Sequence, residues 1–118
     1  MKSFPKPARW QSKKYRDAAR GQDCKMRLPG CRNETETVVL CHRNGAGMGT
    51  KASDHDAADS CAYCHTILDG KTHPDEKLLS EYHRIMLQVI REDRHMEEIF
   101  DRARFATIIN RIERGILK

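Results

Sequence analysis

From Pro74 onward the apolar residues fall into helical step, with Leu78, Leu79, Tyr82, Ile85, Met86, Val89 and Ile90 recurring three or four positions apart. That spacing, with Thr72 or His73 at the cap and Pro74 in the first turn, predicts a helix. A second helix is predicted over 97–114 from Ile99, Phe100, Ala103, Ile108, Ile109 and Ile112. Both stripes read as packing surface, against a core or against a second subunit. Before Pro74 the pattern is different. The one convincing strand is 36–42, with Thr37, Val38, Val39 and Leu40 as its β-favouring centre. Trp10 to Arg20 predicts a short basic helix stopped by Gly21, preceded by an extended, proline-containing arm. Cys61 to Leu68 predicts another helix, with Ser60 as N-cap and Gly70 as stop. The stretch 44–53 holds three glycines and reads as a flexible loop, and 54–60 as a short strand or turn.

These elements define an α+β chain of one domain's length, 118 residues. The expected division is a basic arm and helix at 1–20, a core at 21–73, and a C-terminal helical segment at 74–118. With 38% hydrophobic residues and seven aromatics the core is thin, as expected where a small domain buries a modest share of its surface. Charge is uneven: residues 1–32 hold ten Lys or Arg against two Asp, a local net of +8, while the rest of the chain carries −3. That asymmetry suggests a basic patch facing a polyanion, a solvated tail being the plainer alternative. No apolar run approaches the roughly 20 residues a membrane span needs. The N-terminus has no apolar h-region, so a cytoplasmic protein is expected, with neither membrane nor secretory signal.

Five cysteines without an export signal favour reduced thiols over disulfides, and an odd count would leave Cys41 unpaired. Cys24 and Cys31 enclose a turn containing Pro29-Gly30, and Cys61-Ala62-Tyr63-Cys64 forms a second, tighter pair. Two such pairs, separated by a strand and a loop, supply the four thiolates of a tetrahedral zinc site. Four thiolates leave no open coordination position, so this zinc is expected to be structural. Chemistry then falls to other residues, with Cys41 a buried strand residue.

His42 ends the predicted strand at the mouth of the glycine loop, and His65 directly follows Cys64. On a helix Asp69 shares a face with His65, four residues on, so the two could share a cation. Asp54, His55, Asp56 and Asp59 form a further acidic and imidazole cluster, for which a solvated loop is the plainer reading, above all at Asp59. His73 could assist or simply cap the next helix.

The order strand-histidine, loop, Cys-x2-Cys-His on a helix resembles the HNH or ββα-metal nuclease motif. More closely, the chain resembles the small YbcO-like nucleases of lambdoid phages and prophages. The likeness rests on Ala19 to Cys24, Leu28 to Cys31, Glu36 to His42, Gly49-Thr50-Lys51, Asp54, Cys61 to His65 and Asp69 to His73, and so covers roughly 15–75. It implies a zinc-stabilised ββα-metal core in which His42 is the general base and His65 binds a catalytic Mg²⁺ or Mn²⁺. The middle Asn that orients the base in HNH enzymes has no counterpart here, and Asp54 or Asp56 stands nearest. Cys41 occupies the place where many such motifs carry a metal-binding Asp, and Asp69 could supply a ligand instead.

The residue types suit phosphodiester hydrolysis, which needs an imidazole to deprotonate water and a cation beside the phosphate. Lys13, Lys14, Arg16, Arg20, Arg43 and Lys51 are the candidate phosphate contacts. The leading expectation is a DNA endonuclease acting in phage recombination or DNA processing, with a homodimer through the C-terminal helices reasonable. A non-catalytic, zinc-stabilised nucleic-acid-binding module uses the same parts. A zinc-dependent protein adaptor using the C-terminal helices is the third reading.

Overall fold

The structure, a computed structural model, describes residues 10–43, 53–93 and 95–117. The arm before Trp10, most of the glycine loop and Lys51 lie outside the described residues. The elements are α1 (Lys13–Asp17), β1 (Val39–His42), β2 (Ala57–Ser60), α2 (Ala62–Leu68), α3 (Glu81–Glu92) and α4 (His95–Glu113). The architecture is α+β: an antiparallel pair, β1 with β2, carries helices around it. Its register sets Val39 opposite Ser60 and His42 opposite Ala57.

The strand is shorter than 36–42, because Thr35–Thr37 forms a 3-10 turn before it. That turn has a purpose. Thr37 Oγ1 accepts the Ala62 N–H at 3.0 Å, meeting one of the unpaired amides at the start of α2. Ser60, expected as the N-cap, is instead fully buried at the end of β2, and Cys61 takes the cap position. The helix expected from Pro74 is interrupted. Pro74–Leu78 is a 3-10 turn with a reciprocal His73–Glu76 capping box. Leu79 then turns extended, and Ser80 caps a new helix, its Oγ accepting the His83 N–H.

The core joins the Cys24–Leu28 segment, β2 and α2 to one side each of α3 and α4 through Met26, Leu28, Ala58, Ile67, Leu87 and Phe100. Cys41 is buried in β1, as expected. Only Leu87 and Ile90 of α3 are buried, while Tyr82, Ile85, Met86 and Val89 stay exposed. The predicted stripe of α3 is therefore largely uncovered by the described residues.

Asp59 overturns its solvated-loop reading: it is 0% exposed and pairs with Arg111, also 0% exposed. Two hydrogen bonds of 2.7 and 2.5 Å join the guanidinium to the carboxylate. Arg111 Nε also donates to the Tyr15 carbonyl at 3.0 Å. Thr107 Oγ1 accepts the Asp59 N–H at 3.0 Å. One arginine thus ties α4 to β2 and α1. Burying this pair demands such satisfaction, since an unmatched charge here would cost several kcal/mol, of order 3–5.

Candidate active site and thiol cluster

Cys24, Cys31, Cys61 and Cys64 converge, their sulfurs all within 4.8 Å of one another. The Cys31 and Cys61 sulfurs are 3.6 Å apart, close to the roughly 3.8 Å edge of a tetrahedron built on Zn–S bonds of about 2.3 Å. All five cysteines are unbridged. Backbone amides already point at two of these sulfurs: Leu28 N–H at Cys64 and Asn33 N–H at Cys31, both at 3.4 Å. Asn33 Oδ1 in turn accepts the Cys24 N–H at 2.7 Å, stapling the two ends of the knuckle.

The knuckle depends on Gly30, whose φ is +91°. A Cβ there would lie 2.4 Å from Leu79 Cδ2 and 2.6 Å from the Tyr63 hydroxyl. That hydroxyl donates to the Pro29 carbonyl at 2.6 Å, so the turn is pinned to α2.

Four thiols this close share protons unequally. Hydrogen bonds from Cys31, Cys61 and Cys64 pull Cys24 far below the ordinary thiol range. Hydrogen bonding to Cys24 and then to Cys61 raises Cys31, and hydrogen bonding to Cys24, Cys31 and Cys61 raises Cys64. Cys61, opposed by Cys24 but assisted by Cys31 and Cys64, sits at about 7. A soft divalent cation would relieve this frustration, so the donor set fits a metal ion such as zinc.

His42 leaves the end of β1 with a side chain 34% exposed, and its Nε2 lies 2.7 Å from Asp54 Oδ1. Asp54 is nearly buried. Its other oxygen accepts from the Ser12 N–H at 2.7 Å and from Arg16 Nη1 at 2.6 Å. The N-terminal segment reaches it because Trp10 and Asp54 pair through their backbones, the Asp54 N–H donating to the Trp10 carbonyl at 2.9 Å. Burial disfavours the Asp54 charge, yet the bonds from Ser12, His42 and Arg16 outweigh it and hold the carboxyl below its usual range. Asp54 is thus an ionised acceptor that fixes the ring of His42 while leaving the other ring nitrogen for chemistry.

His65 and Asp69 lie on one face of α2 and its cap, Nε2 to Oδ2 at 3.4 Å. Among the described residues, only the four cysteines form a group of three or more ligands close enough to share an ion. His42–Asp54 and His65–Asp69 therefore stand as two pairs.

The candidate phosphate contacts divide. Lys14 and Arg20 are exposed, and Lys13 is exposed beside Asp17 at 3.2 Å. Arg16 is spent on Asp54. Arg43 is held by Asp56, Glu97 and Asp101 and stacks over Phe100 at 4.6 Å. Asp56, the alternative partner expected for His42, faces Arg43. Arg16, Ser12 and the acidic face of α4 were missed as parts of this neighbourhood. An arginine one helical turn after the Ser12 cap was the available signal for the first.

The family model described as "Putative nuclease YbcO" matches residues 13–100. This chain belongs to that family. A "Putative nuclease YbcO" of Escherichia coli (strain K12) is 44% identical over 62 residues, which is 49% of this chain and 65% of that relative. A "Putative nuclease ybcO" of Enterobacteria phage 82 matches to the same extent. The matched stretch thus spans just under two thirds of these YbcO relatives. A solved structure described as a "putative bacteriophage protein" from Escherichia coli str. K-12 substr. MG1655 superposes with a TM-score of 0.56 at 25% identity, covering 86% of this chain and all of that one. No described helix of this YbcO-family chain is long and apolar enough to cross a membrane.

Proposed function

We propose that the chain is a metal-dependent DNA endonuclease of HNH type. The observation that carries this is the 2.7 Å His42–Asp54 pair at the end of β1, whose partner strand β2 leads into the four-thiol cluster at Cys61, in a family described by its nuclease name. His42 is the general base: with Nε2–H directed at Asp54, Nδ1 takes the proton from the water that attacks phosphorus. Asp54 orients the ring and stabilises the imidazolium that results. A zinc ion at Cys24, Cys31, Cys61 and Cys64 is structural. His65 and Asp69 would hold Mg²⁺ or Mn²⁺, which when bound offsets the charge that builds on the phosphate. Lys13, Lys14 and Arg20 contact the DNA backbone, and the setting is phage recombination or DNA processing in a bacterial cytoplasm.

A plasmid nicking assay with Mg²⁺ or Mn²⁺ tests it. Wild type should cleave, His42→Ala should lose activity by about 10²–10⁴-fold, and His65→Ala should lose it in a way that depends on metal concentration. Equal cleavage by both variants would discard the site.

The second reading, a non-catalytic zinc-stabilised nucleic-acid-binding module, is favoured by one observation: the two histidine pairs do not merge into one ligand group among the described residues. Binding without cleavage by folded, zinc-loaded wild type on several substrates would select it.

A further inference from the structure

The knuckle loop faces α3 and α4 across a groove of about 510 Å³. Its floor is apolar, formed by Met26 of the loop, Met86 and Ile90 of α3, and Ile99 of α4. Its rim is cationic or basic: Lys25 and Arg27 from the loop, His83 from α3 and Arg102 from α4. No Asp or Glu is among the described residues that line it. Lys25 is partly committed, 3.8 Å from Asp59 Oδ2 and donating to the Asp23 carbonyl. Arg27 and Arg102 are exposed. Arg27 is anchored through Nε on the Cys24 carbonyl at 3.0 Å, and neither guanidinium has a carboxylate partner among the described residues. Tyr82 is 68% exposed at the edge, its ring meeting that of His83 at 5.7 Å.

An apolar floor, two guanidiniums on its rim without carboxylate partners among the described residues, and an exposed aromatic ring call for a ligand that carries anions and flat apolar faces together. Single-stranded nucleic acid does so at every residue, whereas a duplex hides its base faces. An acidic amphipathic helix shares the charge but not the size: at a diameter of about 10 Å it fills roughly 400 Å³ per turn, so the groove would take little more than one turn. A nucleotide or two fits the same space.

We propose that this groove is a path for single-stranded nucleic acid, with Arg27 and Arg102 on its phosphates and Tyr82 stacked on a base. The inference rests on the nuclease reading for its supply of nucleic acid. It narrows the substrate to one with an unpaired strand.

The test is fluorescence anisotropy on the full, zinc-loaded chain without added Mg²⁺ or Mn²⁺, so that binding is read apart from cleavage. The probes are labelled oligo-dT of about 12 nucleotides, the same strand paired with oligo-dA, and an acidic amphipathic peptide. Oligo-dT should bind more tightly than the duplex or the peptide. Arg27→Gln with Arg102→Gln should lower affinity about tenfold and reduce the salt slope by about 1.4, two phosphate contacts at about 0.7 each. Arg102→Gln alone, on an exposed helix face, should give half that slope change even if the knuckle does not tolerate the first substitution. Tyr82→Ala should weaken binding about tenfold with the slope unchanged, and Tyr82→Phe should restore it. Unchanged oligo-dT affinity in these variants overturns the proposal, as does tighter binding of the peptide. A dimer broken by Met86→Asp in sedimentation would also overturn it, showing the groove to be covered by a second copy. A chain that cleaves DNA with its groove variants unimpaired loses this inference and keeps the nuclease reading. One that binds through the groove and cleaves nothing keeps the inference and loses the nuclease.

Discussion

At the scale of single residues, Asp54 shows how much a carboxylate can be asked to do. It accepts from a backbone amide, an arginine and an imidazole at once. Its folded-state pKa is lowered, so the stability it contributes is present above the unfolded carboxylate value of about 3.9 and lost as pH falls through the lower folded value. Asp54→Asn should therefore be less stable than wild type at neutral pH, with a flatter urea midpoint profile below about pH 4. A parallel profile would mean the depression is not expressed in folding. The bond to His42 was half legible in the sequence, where Asp54 or Asp56 stood as the expected partner of His42. The choice between them was not, because Arg43 claims Asp56 and Arg16 claims Asp54 through contacts that span 13 and 38 positions.

At the scale of elements, the knuckle and the C-terminal helix make opposite points. The cysteine pairs and the Pro29-Gly30 turn are local, so short spacings revealed them. Gly30→Ala must accommodate both a φ of +91° and a Cβ within 3 Å of two side chains, and should cost about 1–3 kcal/mol, read as a fall in melting temperature. Arg111 is the non-local case. Phe100, Ala103, Thr107 and Arg111 are the buried positions of α4, spaced as one helical stripe, so a charged residue on that stripe was the signal that a buried acid existed elsewhere. Periodicity could not say that the acid was Asp59. Arg111→Met should lower stability by about 3–5 kcal/mol, leaving the buried Asp59 with only the 3.8 Å contact to Lys25 and without its two short hydrogen bonds. Adding Asp59→Leu to it should recover much of that loss, measured by chemical denaturation. Periodicity also named the apolar face of α3 without telling what covers it; the His73–Glu76 box and Ser80 divide that stretch, and most of the face stays outward.

At the scale of the whole molecule, a small core is built around a metal-competent cluster. Cys24, Cys61 and Cys64 are within the same buried set as Leu28, Ile67 and Phe100, so an ion held there would sit at the centre of the fold. Removing metal with a chelator should lower the melting temperature and broaden the transition, and Cys61→Ser should do the same without chelator. Unchanged melting after complete metal removal would show that the cluster is not structural. Charge was legible as a distribution along the chain but not as a surface. The basic N-terminal third is real in sequence, yet Arg16 turns inward onto Asp54 and Lys25 reaches toward Asp59. Arg43, beyond that third, is spent on α4, so the surface left for a polyanion is smaller than the count implies.

The Arg111 latch also orders events in time. Its guanidinium meets Tyr15 and Asp59, partners made 96 and 52 residues earlier in synthesis. A nascent chain that has not yet exposed α4 has only the longer 3.8 Å Lys25 contact for Asp59 and lacks the Arg111 donor for the Tyr15 carbonyl. Closure must wait for translation to pass Arg111, and the β-pair formed earlier remains an open edge for that interval. Ribosome-bound intermediates of this protein should therefore be protease-sensitive until α4 emerges from the exit tunnel.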